Sequence, residues 1–510
     1  MTADLESNAN GIVPRVLFKD IPYEFKDPSL VDNRCYVNGE WVHSRDGKTF
    51  SVYDPTDDSE ICRVPDFSLD EIKDAISAAH DAFQVYRAIA PRQRRFMLRK
   101  WGDLIKAHRS DLAALCTLEL GKPFTESLAT VDYGIDFIDW FESECERVYG
   151  DFIPANRKGT RIITTREPQG VVVAITPWNS PVAMITRKAC AAIAAGNTVV
   201  CKPAPETPLC AIAMAKLFDR AGFPKGTFNV VTCGPAQMQA IGEEFCSNRL
   251  VAHLSFTGST AVGKLLNVQC AKYMKKVSME LGGNAPFIVF EDANLDDAVE
   301  GMISSKFRSS GQTCICANRM FVHESVMDDF ARRLQARVAE TIREGAVWDK
   351  TVNFGPLYSG KAVEKVKRHL ADATGRGAKI LLGGEVRSEL GPNHFPPTIV
   401  THAAPDMLFC HEETFGPVAA LIPFRSEEEV IRLANDTNVG LAGYLYTDNI
   451  ARLWRVADAL QVGMVGCRVG LISACEQPFS GVKESGVGVE GSMHALAEYV
   501  NIKSITIGGL

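Results

Sequence analysis

From Gly170 onward, short apolar segments rich in β-branched residues alternate with segments of helical length. The predicted strands are residues 171–175, 199–201, 228–231, 254–256 and 287–290, and the predicted helices between them include residues 181–195 and 207–222. The second of these helices opens with Thr207-Pro208, a typical N-cap followed by proline in the first turn. Strands that alternate with helices predict a parallel, doubly wound sheet.

Two further regions extend this α/β pattern. Ser68-Leu69-Asp70-Glu71 has the spacing of a capping box, and further helices are predicted at residues 91–107 and 110–120. A second αβ series follows Cys314, with strands at residues 321–322, 380–382 and 418–422. The C-terminal residues 502–507 alternate like one more strand.

The composition is that of a globular enzyme. The 510 residues are enough for about two to four domains, with 46% apolar and 23% charged residues. A net charge of −7 argues against a nucleic-acid surface, and no uncharged apolar segment approaches the length of a membrane span. Residues 1–10 carry Asp4 and Glu6 and have no apolar core, unlike a secretory signal or transit peptide. The 15 cysteines lack a framework spacing, which favours free thiols and a cytoplasmic location.

Cys314 is the first candidate for chemistry. It ends the small, polar segment Ser309-Ser310-Gly311-Gln312-Thr313, and Glu280 stands upstream in Met279-Glu280-Leu281-Gly282-Gly283. A thiolate adds readily to a carbonyl carbon, and a carboxylate prepares the water that later removes the covalent intermediate. Asn179 ends the apolar run Ile175-Thr176-Pro177-Trp178 with an amide that stabilises an oxyanion. These three residues predict a catalytic nucleophile, general base and oxyanion donor, and no group of residues has convincing metal-ligand spacing.

Two glycine-rich segments imitate nucleotide motifs. Residues 486–491 formally satisfy the dinucleotide fingerprint, but they follow no clear strand and too little chain remains for a βαβ unit. Residues 258–265 nearly form a phosphate loop, but Leu265 replaces the required Ser or Thr, which argues against ATP chemistry. The strand, Gly-Ser turn and helix at this position still offer backbone amides to the pyrophosphate of a dinucleotide.

Several motifs in register resemble the aldehyde dehydrogenase superfamily over about residues 30 to 508. They are Trp178-Asn179, Ser255-Phe256-Thr257-Gly258-Ser259, Glu280-Leu281-Gly282-Gly283, Gly311-Gln312-Thr313-Cys314 and Glu413-Thr414-Phe415-Gly416-Pro417. Within the superfamily the chain is most similar to the succinate-semialdehyde dehydrogenases, through Met184-Ile185-Thr186-Arg187-Lys188, Arg308 and Cys314-Ile315-Cys316.

The resemblance implies an α/β fold with two doubly wound αβα domains and a β oligomerisation arm. The dinucleotide-binding domain is expected at residues 30–150 and 169–281, and the catalytic domain at residues 282–475. The arm is expected at residues 151–168 and 488–510, within a homodimer or homotetramer.

The resemblance also implies an NAD or NADP site. It assigns Lys202 to the adenosine ribose, Gly258 and Ser259 to the pyrophosphate, and Glu413 to the nicotinamide ribose, while the further cofactor residues are Thr176, Trp178, Gly234, Val262 and Phe415. Members that prefer NAD often carry an acidic residue three positions after the lysine. Pro205 occupies that position here and Glu206 follows it, so the choice between NAD and NADP stays open.

For the substrate, the resemblance assigns Arg187, Arg308 and Ser473 to the carboxylate of succinic semialdehyde. A guanidinium group suits a carboxylate well, although Arg187 is also able to form an internal salt bridge. Ser180 and Arg468 depart from the pattern, where phenylalanine and asparagine are usual, and they are expected to widen one wall and to add a cation near the pocket mouth. The resemblance thus implies NAD(P)-dependent oxidation of a carboxylated aldehyde, succinic semialdehyde to succinate, through a thiohemiacetal and a thioester on Cys314. Two alternatives stay open: oxidation of an aromatic or secondary-metabolite aldehyde, and a non-catalytic binding protein on the same fold.

Cys316 is a candidate redox residue. In an extended segment, alternate side chains share a face, so a rearranged loop brings the sulfurs of Cys314 and Cys316 together. Some succinate-semialdehyde dehydrogenases use this pair as a redox switch, and the alternative is that Cys316 only packs.

Overall fold

A computed structural model describes residues 5–8, 11–14 and 16–510, so the sequence argument about residues 1–10 falls largely outside the described residues. The strands are β1 Leu5–Asn8, β2 Gly11–Pro14, β3 Cys35–Val37, β4 Glu40–Val42, β5 Thr49–Tyr53, β6 Glu60–Pro65, β7 Phe152–Pro154, β8 Arg161–Pro168, β9 Val171–Ile175, β10 Thr198–Lys202, β11 Phe228–Val230, β12 Val251–Thr257, β13 Lys276–Glu280, β14 Ala285–Val289, β15 Ala317–His323, β16 Lys379–Leu382, β17 Thr398–Thr401, β18 Val418–Phe424, β19 Val439–Gly440, β20 Ala442–Tyr446, β21 Met464–Cys467, β22 Val482–Lys483, β23 Gly486–Val487 and β24 Val500–Ile507. The α-helices are α1 Leu69–Tyr86, α2 Pro91–Ala107, α3 Arg109–Leu120, α4 Phe124–Glu144, α5 Pro181–Ala194, α6 Pro208–Ala221, α7 Met238–Ser247, α8 Thr260–Ala271, α9 Leu295–Lys306, α10 Met327–Thr341, α11 Gly360–Gly375, α12 Leu408–His411, α13 Glu427–Asn435, α14 Ile450–Ala459 and α15 Ala495–Glu498. Short 3-10 helices lie at Pro28–Leu30, Arg308–Gly311 and Glu324–Val326.

The first sheet has eight strands in the order β23-β13-β12-β9-β10-β11-β3-β4. The five strands from β13 to β11 are parallel, and β23 and β3 add antiparallel neighbours at the two sides. The strand order reverses at β9, which pairs with both β10 and β12. The loops after β9 and β12 therefore flank a crevice at the carboxyl edge, where doubly wound sheets bind their ligands.

A second sheet has seven strands in the order β16-β17-β18-β15-β14-β20-β21, and all of its pairs except β16 with β17 are parallel. A third, antiparallel sheet has the order β24-β8-β7 and contains the C-terminal strand. Two parallel sheets covered by helices confirm the α/β, doubly wound prediction.

Helix α5 is the central helix of the first half of the molecule. All 14 of its residues are buried, including Arg187 and Lys188, and α4 packs along it. The close approach depends on Gly134 of α4, because a β-carbon there would lie 2.6 Å from Val182. Buried charges on such a helix need partners, which makes the surroundings of Arg187 informative.

The local signals of the sequence are also present. Ser68 and Glu71 form the predicted capping box of α1, and Gly121 ends α3 in the left-handed conformation. The fingerprint-like residues 486–491 form the short edge strand β23 and the turn after it, with no βαβ unit. Within the part of the chain that the structure describes, no helix is long and apolar enough to cross a membrane.

Candidate active site

Cys314 follows a backbone turn that is held in an unusual conformation. Ser309, Ser310 and Gly311 all have positive φ angles, of 52°, 53° and 76°. Two of the contacts that hold it come from Glu126 of α4, whose Oε1 accepts hydrogen bonds from the backbone N–H and hydroxyl of Ser309 at 2.6 and 2.9 Å. Gly311 is required, because a β-carbon there would lie 2.3 Å from the Gly416 carbonyl oxygen. The contacts around this turn therefore stabilise the strained backbone conformation that places Cys314 at the site.

Cys314 itself is partly exposed to two cavities that meet at its thiol. Burial raises the pKa of Cys314 to about 12, and the Arg187 charge opposes this shift. The resting thiol is therefore protonated at neutral pH. Asn179, 8% exposed, lines both cavities beside it, and its Nδ2 donates one hydrogen bond to the Gln312 carbonyl at 3.0 Å. The second N–H of the same amide is available to an oxyanion.

Glu280 ends β13 at the carboxyl edge of the first sheet. Its side chain is buried, and neither carboxylate oxygen has a hydrogen-bond partner among the described residues. Burial, reinforced by the charge of Glu490, raises the pKa of Glu280 well above its usual value. A buried carboxyl without hydrogen-bond partners and with a raised pKa has the character of a general base that waits for water or substrate.

The larger of the two cavities at Cys314, of about 390 Å³, lies between the two large sheets and is called the strand-end cavity. It is lined on one side by the loops after β9 and β12 and on the other by Glu413, Phe415 and the start of α11. Trp178 stacks on Tyr358 with ring centroids 4.0 Å apart, and it meets Phe415 edge-on at 5.7 Å. Burial raises the pKa of Glu413 to about 7, although the Gly283 N–H donates to this carboxylate.

The strand-end cavity fits a dinucleotide. A β-carbon at Gly258 would lie 2.5 Å from the Phe256 ring, so no side chain covers the backbone of this turn. The buried Thr257 hydroxyl beside it has no hydrogen-bond partner among the described residues. The Ser259 hydroxyl caps α8 and accepts from the Val262 N–H at 3.4 Å. Gly258, Ser259, Trp178, Glu413 and Phe415 are therefore brought together as predicted.

Four predicted cofactor residues lie outside this cavity. Thr176 and Lys202 sit side by side at the ends of β9 and β10, and the Lys202 ammonium donates to the Pro203 carbonyl at 3.3 Å. The Gly234 N–H is bound to Asp66, and Val262 is 45% exposed on α8. Their roles in cofactor binding stay predictions.

The smaller cavity, of about 90 Å³, lies on the other side of Cys314 and is called the arginine cavity. It is lined by Arg187, Arg308 and Ser473, and also by Ser180, which stands where phenylalanine is usual in the family. The buried Nη2 of Arg187 and Nε of Arg308 have no hydrogen-bond partner among residues 16–510. An anionic group in this cavity would satisfy both.

Arg187 also forms the internal salt bridge that the sequence left open. Its Nε donates to Glu490 Oε2, and Lys188 donates to Glu490 Oε1. The Phe479 ring, 4.1 Å from the guanidinium, completes its surroundings. Glu490 was not predicted as a site residue: it lies inside the glycine-rich segment 486–491, where one acidic residue among glycines was the only signal.

Two expectations were wrong. Arg468 does not reach the mouth of the arginine cavity, because its turn (φ 57°) directs the guanidinium to the Thr447 carbonyl at 2.7 Å. The segment from Cys314 to Cys316 is not extended: the Cys316 N–H donates to the Thr313 carbonyl at 2.9 Å and closes a turn. Both thiols are free, and Cys316 is buried.

Comparison with known proteins agrees with this geometry. Residues 41–505 match the aldehyde dehydrogenase family. The chain is 49% identical to succinate-semialdehyde dehydrogenase [NADP(+)] 1 of Schizosaccharomyces pombe, covering 95% of this chain and 98% of the relative. It is 46% identical to glutarate-semialdehyde dehydrogenase of Pseudomonas aeruginosa, covering 96% and 100%.

Solved structures give the same result. The crystal structure of succinate-semialdehyde dehydrogenase from Burkholderia pseudomallei has a TM-score of 0.93 and 49% identity, covering 96% of this chain and 100% of that one. The chain belongs to the aldehyde dehydrogenase family. It is an NAD(P)-dependent oxidoreductase that acts on aldehydes, and the reading as a non-catalytic binding protein is set aside.

Proposed function

We propose that this enzyme oxidises succinic semialdehyde to succinate. The observation that carries the proposal is the pair of unpaired, buried arginine donors in the cavity that ends at Cys314. Leaving such donors unpaired is costly, and a carboxylate is the natural acceptor for guanidinium groups. The S. pombe relative, which is named for this substrate, supports the same conclusion.

The chain's residues divide the reaction between them. Cys314 adds to the aldehyde carbon, and the free N–H of Asn179 stabilises the oxyanion. Bound NAD(P)⁺ supplies the hydride acceptor. Glu280 then takes a proton from the water that hydrolyses the Cys314 thioester. Arg187 and Arg308 hold the far end of the substrate so that its carbonyl carbon faces the thiol.

NADP is the proposed preferred cofactor. Pro205 puts no carboxylate at the position from which an acidic side chain would repel a 2′-phosphate. Glu206 is half-buried beside Lys202, and burial raises its pKa, which weakens its repulsion further. The S. pombe relative is likewise named for NADP(+).

A second candidate is the longer glutaric semialdehyde. Ser180 is a small residue in the wall of the arginine cavity, and the P. aeruginosa relative is named for this substrate. An aromatic aldehyde is less suited, because no apolar partner would satisfy the two arginine donors.

Reduced-nicotinamide absorbance with a panel of aldehydes and both cofactors tests these proposals. Succinic semialdehyde with NADP is expected to give the highest kcat/KM, ahead of glutaric semialdehyde, butanal and benzaldehyde. A kcat/KM for butanal equal to that for succinic semialdehyde would contradict an anion-binding cavity.

We also propose a homodimer or homotetramer, formed through the arm at residues 151–168 and 488–510. Strand β24 exposes Ile502, Ile505 and Ile507, and a groove of about 1070 Å³ runs beside it, between α4 and β8. The proposed domain division, 30–150 with 169–281 and then 282–475, follows the strands of the two large sheets except for the edge strand β23 at Gly486–Val487. Free thiols at all 15 cysteines support a reducing compartment such as the cytosol. Light scattering of the purified enzyme measures the assembly.

A further inference from the structure

The arginine cavity contains a buried hydroxyl that the proposed reaction does not use. Tyr133 of α4 lines the cavity together with Arg187, Arg308 and Cys314. Its hydroxyl oxygen is buried and has no hydrogen-bond partner among the described residues. A buried hydroxyl in this position needs a partner, and the cavity is the space from which that partner comes.

The position of Tyr133 is fixed by packing. Its ring meets Phe137 edge-on, with centroids 5.0 Å apart and planes at 71°. The next residue, Gly134, is the point at which α4 touches Val182 of α5, so the helix carrying Tyr133 packs tightly against the helix carrying Arg187. The hydroxyl is therefore held in place before any substrate binds.

The surroundings make Tyr133 a donor toward an anion. Burial raises the pKa of Tyr133, and the Arg187 guanidinium opposes this shift through its charge and as a close, weak donor to the hydroxyl oxygen. The phenol proton therefore stays on at neutral pH, and it has no acceptor among the described residues. The charged side chains that line the cavity are the cations Lys122, Arg187 and Arg308 and the carboxylate Glu126, which leaves an excess of positive charge. The hydroxyl, Arg187 Nη2 and Arg308 Nε are three unpaired donors from three separate elements around one small space.

We propose that the Tyr133 hydroxyl donates a hydrogen bond to the distal anionic group of the aldehyde, as a third donor beside Arg187 and Arg308, and thereby helps to select carboxylated aldehydes by chain length. This inference rests on the proposed function. Because the three donors are fixed relative to Cys314, one added methylene shifts the anion away from the point where all three meet. Tyr133 is a substrate-binding residue in this view.

The test compares Tyr133→Phe with the wild-type enzyme on succinic semialdehyde, glutaric semialdehyde and butanal. The kcat/KM for succinic semialdehyde is expected to fall about tenfold, mainly through KM, because a hydrogen bond to a charged group is lost. The value for butanal is expected to stay within about twofold, and the preference for the four-carbon over the five-carbon acid to shrink. Equal losses on all three substrates, or no loss on any, would overturn the assignment.

Tyr86→Phe is the matched control. Tyr86 is fully buried whereas Tyr133 is partly buried, and the Tyr86 hydroxyl donates to the Ile193 carbonyl at 3.2 Å and lies away from the cavity. This variant is expected to keep the wild-type ratio between the substrates, whatever it does to the melting temperature. If Tyr133→Phe fails to fold, Tyr133→Met removes the same hydroxyl at similar bulk and is held to the same outcomes.

Arg308→Ala in the same assay distinguishes a failure of the Tyr133 assignment from a failure of the proposed function. If Arg308→Ala loses selectivity for the carboxylated substrate and Tyr133→Phe keeps it, the proposed function stands and the Tyr133 inference is wrong. If neither variant changes the ratio between succinic semialdehyde and butanal, the proposed function fails as well.

Discussion

The two cavities that meet at Cys314 are built in different ways. The strand-end cavity, of about 390 Å³, is made largely from loops at the carboxyl edge of a parallel sheet, where backbone geometry decides what fits. The arginine cavity, of about 90 Å³, is made from side chains of α4, α5, the turn before Cys314 and the segment around Ser473. A chemistry common to a family depends on the first kind of construction, while substrate choice depends on the second. Changes at the junction are therefore expected to abolish the reaction that both cavities serve, and changes in one cavity to spare binding in the other.

The largest effect is expected at the junction. Cys314→Ser should reduce the oxidation rate more than about a thousandfold, because a serine hydroxyl is not ionised here and the nucleophile is lost. NADP binding and the melting temperature are expected to stay close to wild type, since the substitution is nearly isosteric. Single-turnover kinetics and cofactor titration measure these quantities, and near-normal turnover would rule out the covalent mechanism.

Glu280→Gln should produce the next largest effect, a loss of about 10²–10⁴-fold in the steady state. Thioester hydrolysis loses its base while hydride transfer is less affected, so rapid mixing is expected to show a burst of reduced cofactor. The pKa of Glu280 is raised, so its base form increases as the pH rises, and wild-type kcat should increase with pH. The thiolate of Cys314, whose pKa is about 12, also increases with pH. Either of two results would show that another residue is the base: no burst in Glu280→Gln, or a thioester hydrolysis rate in this variant that depends on pH as in the wild type.

Arg308→Ala tests whether the arginine cavity is separate from the strand-end cavity. The apparent KM for succinic semialdehyde should rise about tenfold to over a hundredfold, as expected for a charged hydrogen bond of roughly 1.5–3 kcal/mol. KM values for butanal and for NADP should change little. Arg187→Ala is a poorer probe, because it also deprives Glu490 of a salt-bridge partner in the core. An equal rise for both aldehydes would make Arg308 a structural residue.

The sequence revealed the first cavity better than the second, for a physical reason. Gly258, Glu280 and Cys314 sit in short motifs whose backbone geometry is local, so spacing alone was informative. Tyr133 lines the arginine cavity, and Glu490 binds Arg187 behind it, only through the packing of α4 and the C-terminal segment against α5, and no local pattern distinguishes them. The error at Arg468 has the same origin, since nearness in sequence to Ser473 does not determine where a side chain points.

Pro205→Glu tests the choice between NADP and NAD, the counterpart of the substrate test in the arginine cavity. A carboxylate at this position should raise the KM for NADP roughly tenfold or more by repelling the 2′-phosphate, with a smaller change for NAD. The KM for succinic semialdehyde should stay the same, because the substitution lies outside the arginine cavity. Glu206→Gln is the control: improved use of NADP in this variant would show that Glu206 already repels the phosphate.

The smallest effect on basal activity is expected from Cys316→Ala, because Cys316 lines neither cavity. Its predicted contribution appears only under oxidation. Peroxide converts the Cys314 thiolate to a sulfenic acid, and the Cys316 thiol then displaces water to form a disulfide that dithiothreitol reduces. The turn closed by the Cys316 N–H and the Thr313 carbonyl must open for the two sulfurs to bond, so this reaction should be slower than the first oxidation. Wild-type enzyme should therefore recover activity after mild peroxide and dithiothreitol, while Cys316→Ala should lose the slow step and progress to irreversible oxidation of Cys314. Mass spectrometry that finds only oxidised Cys314 and no link to Cys316 in the wild type would leave Cys316 as a packing residue.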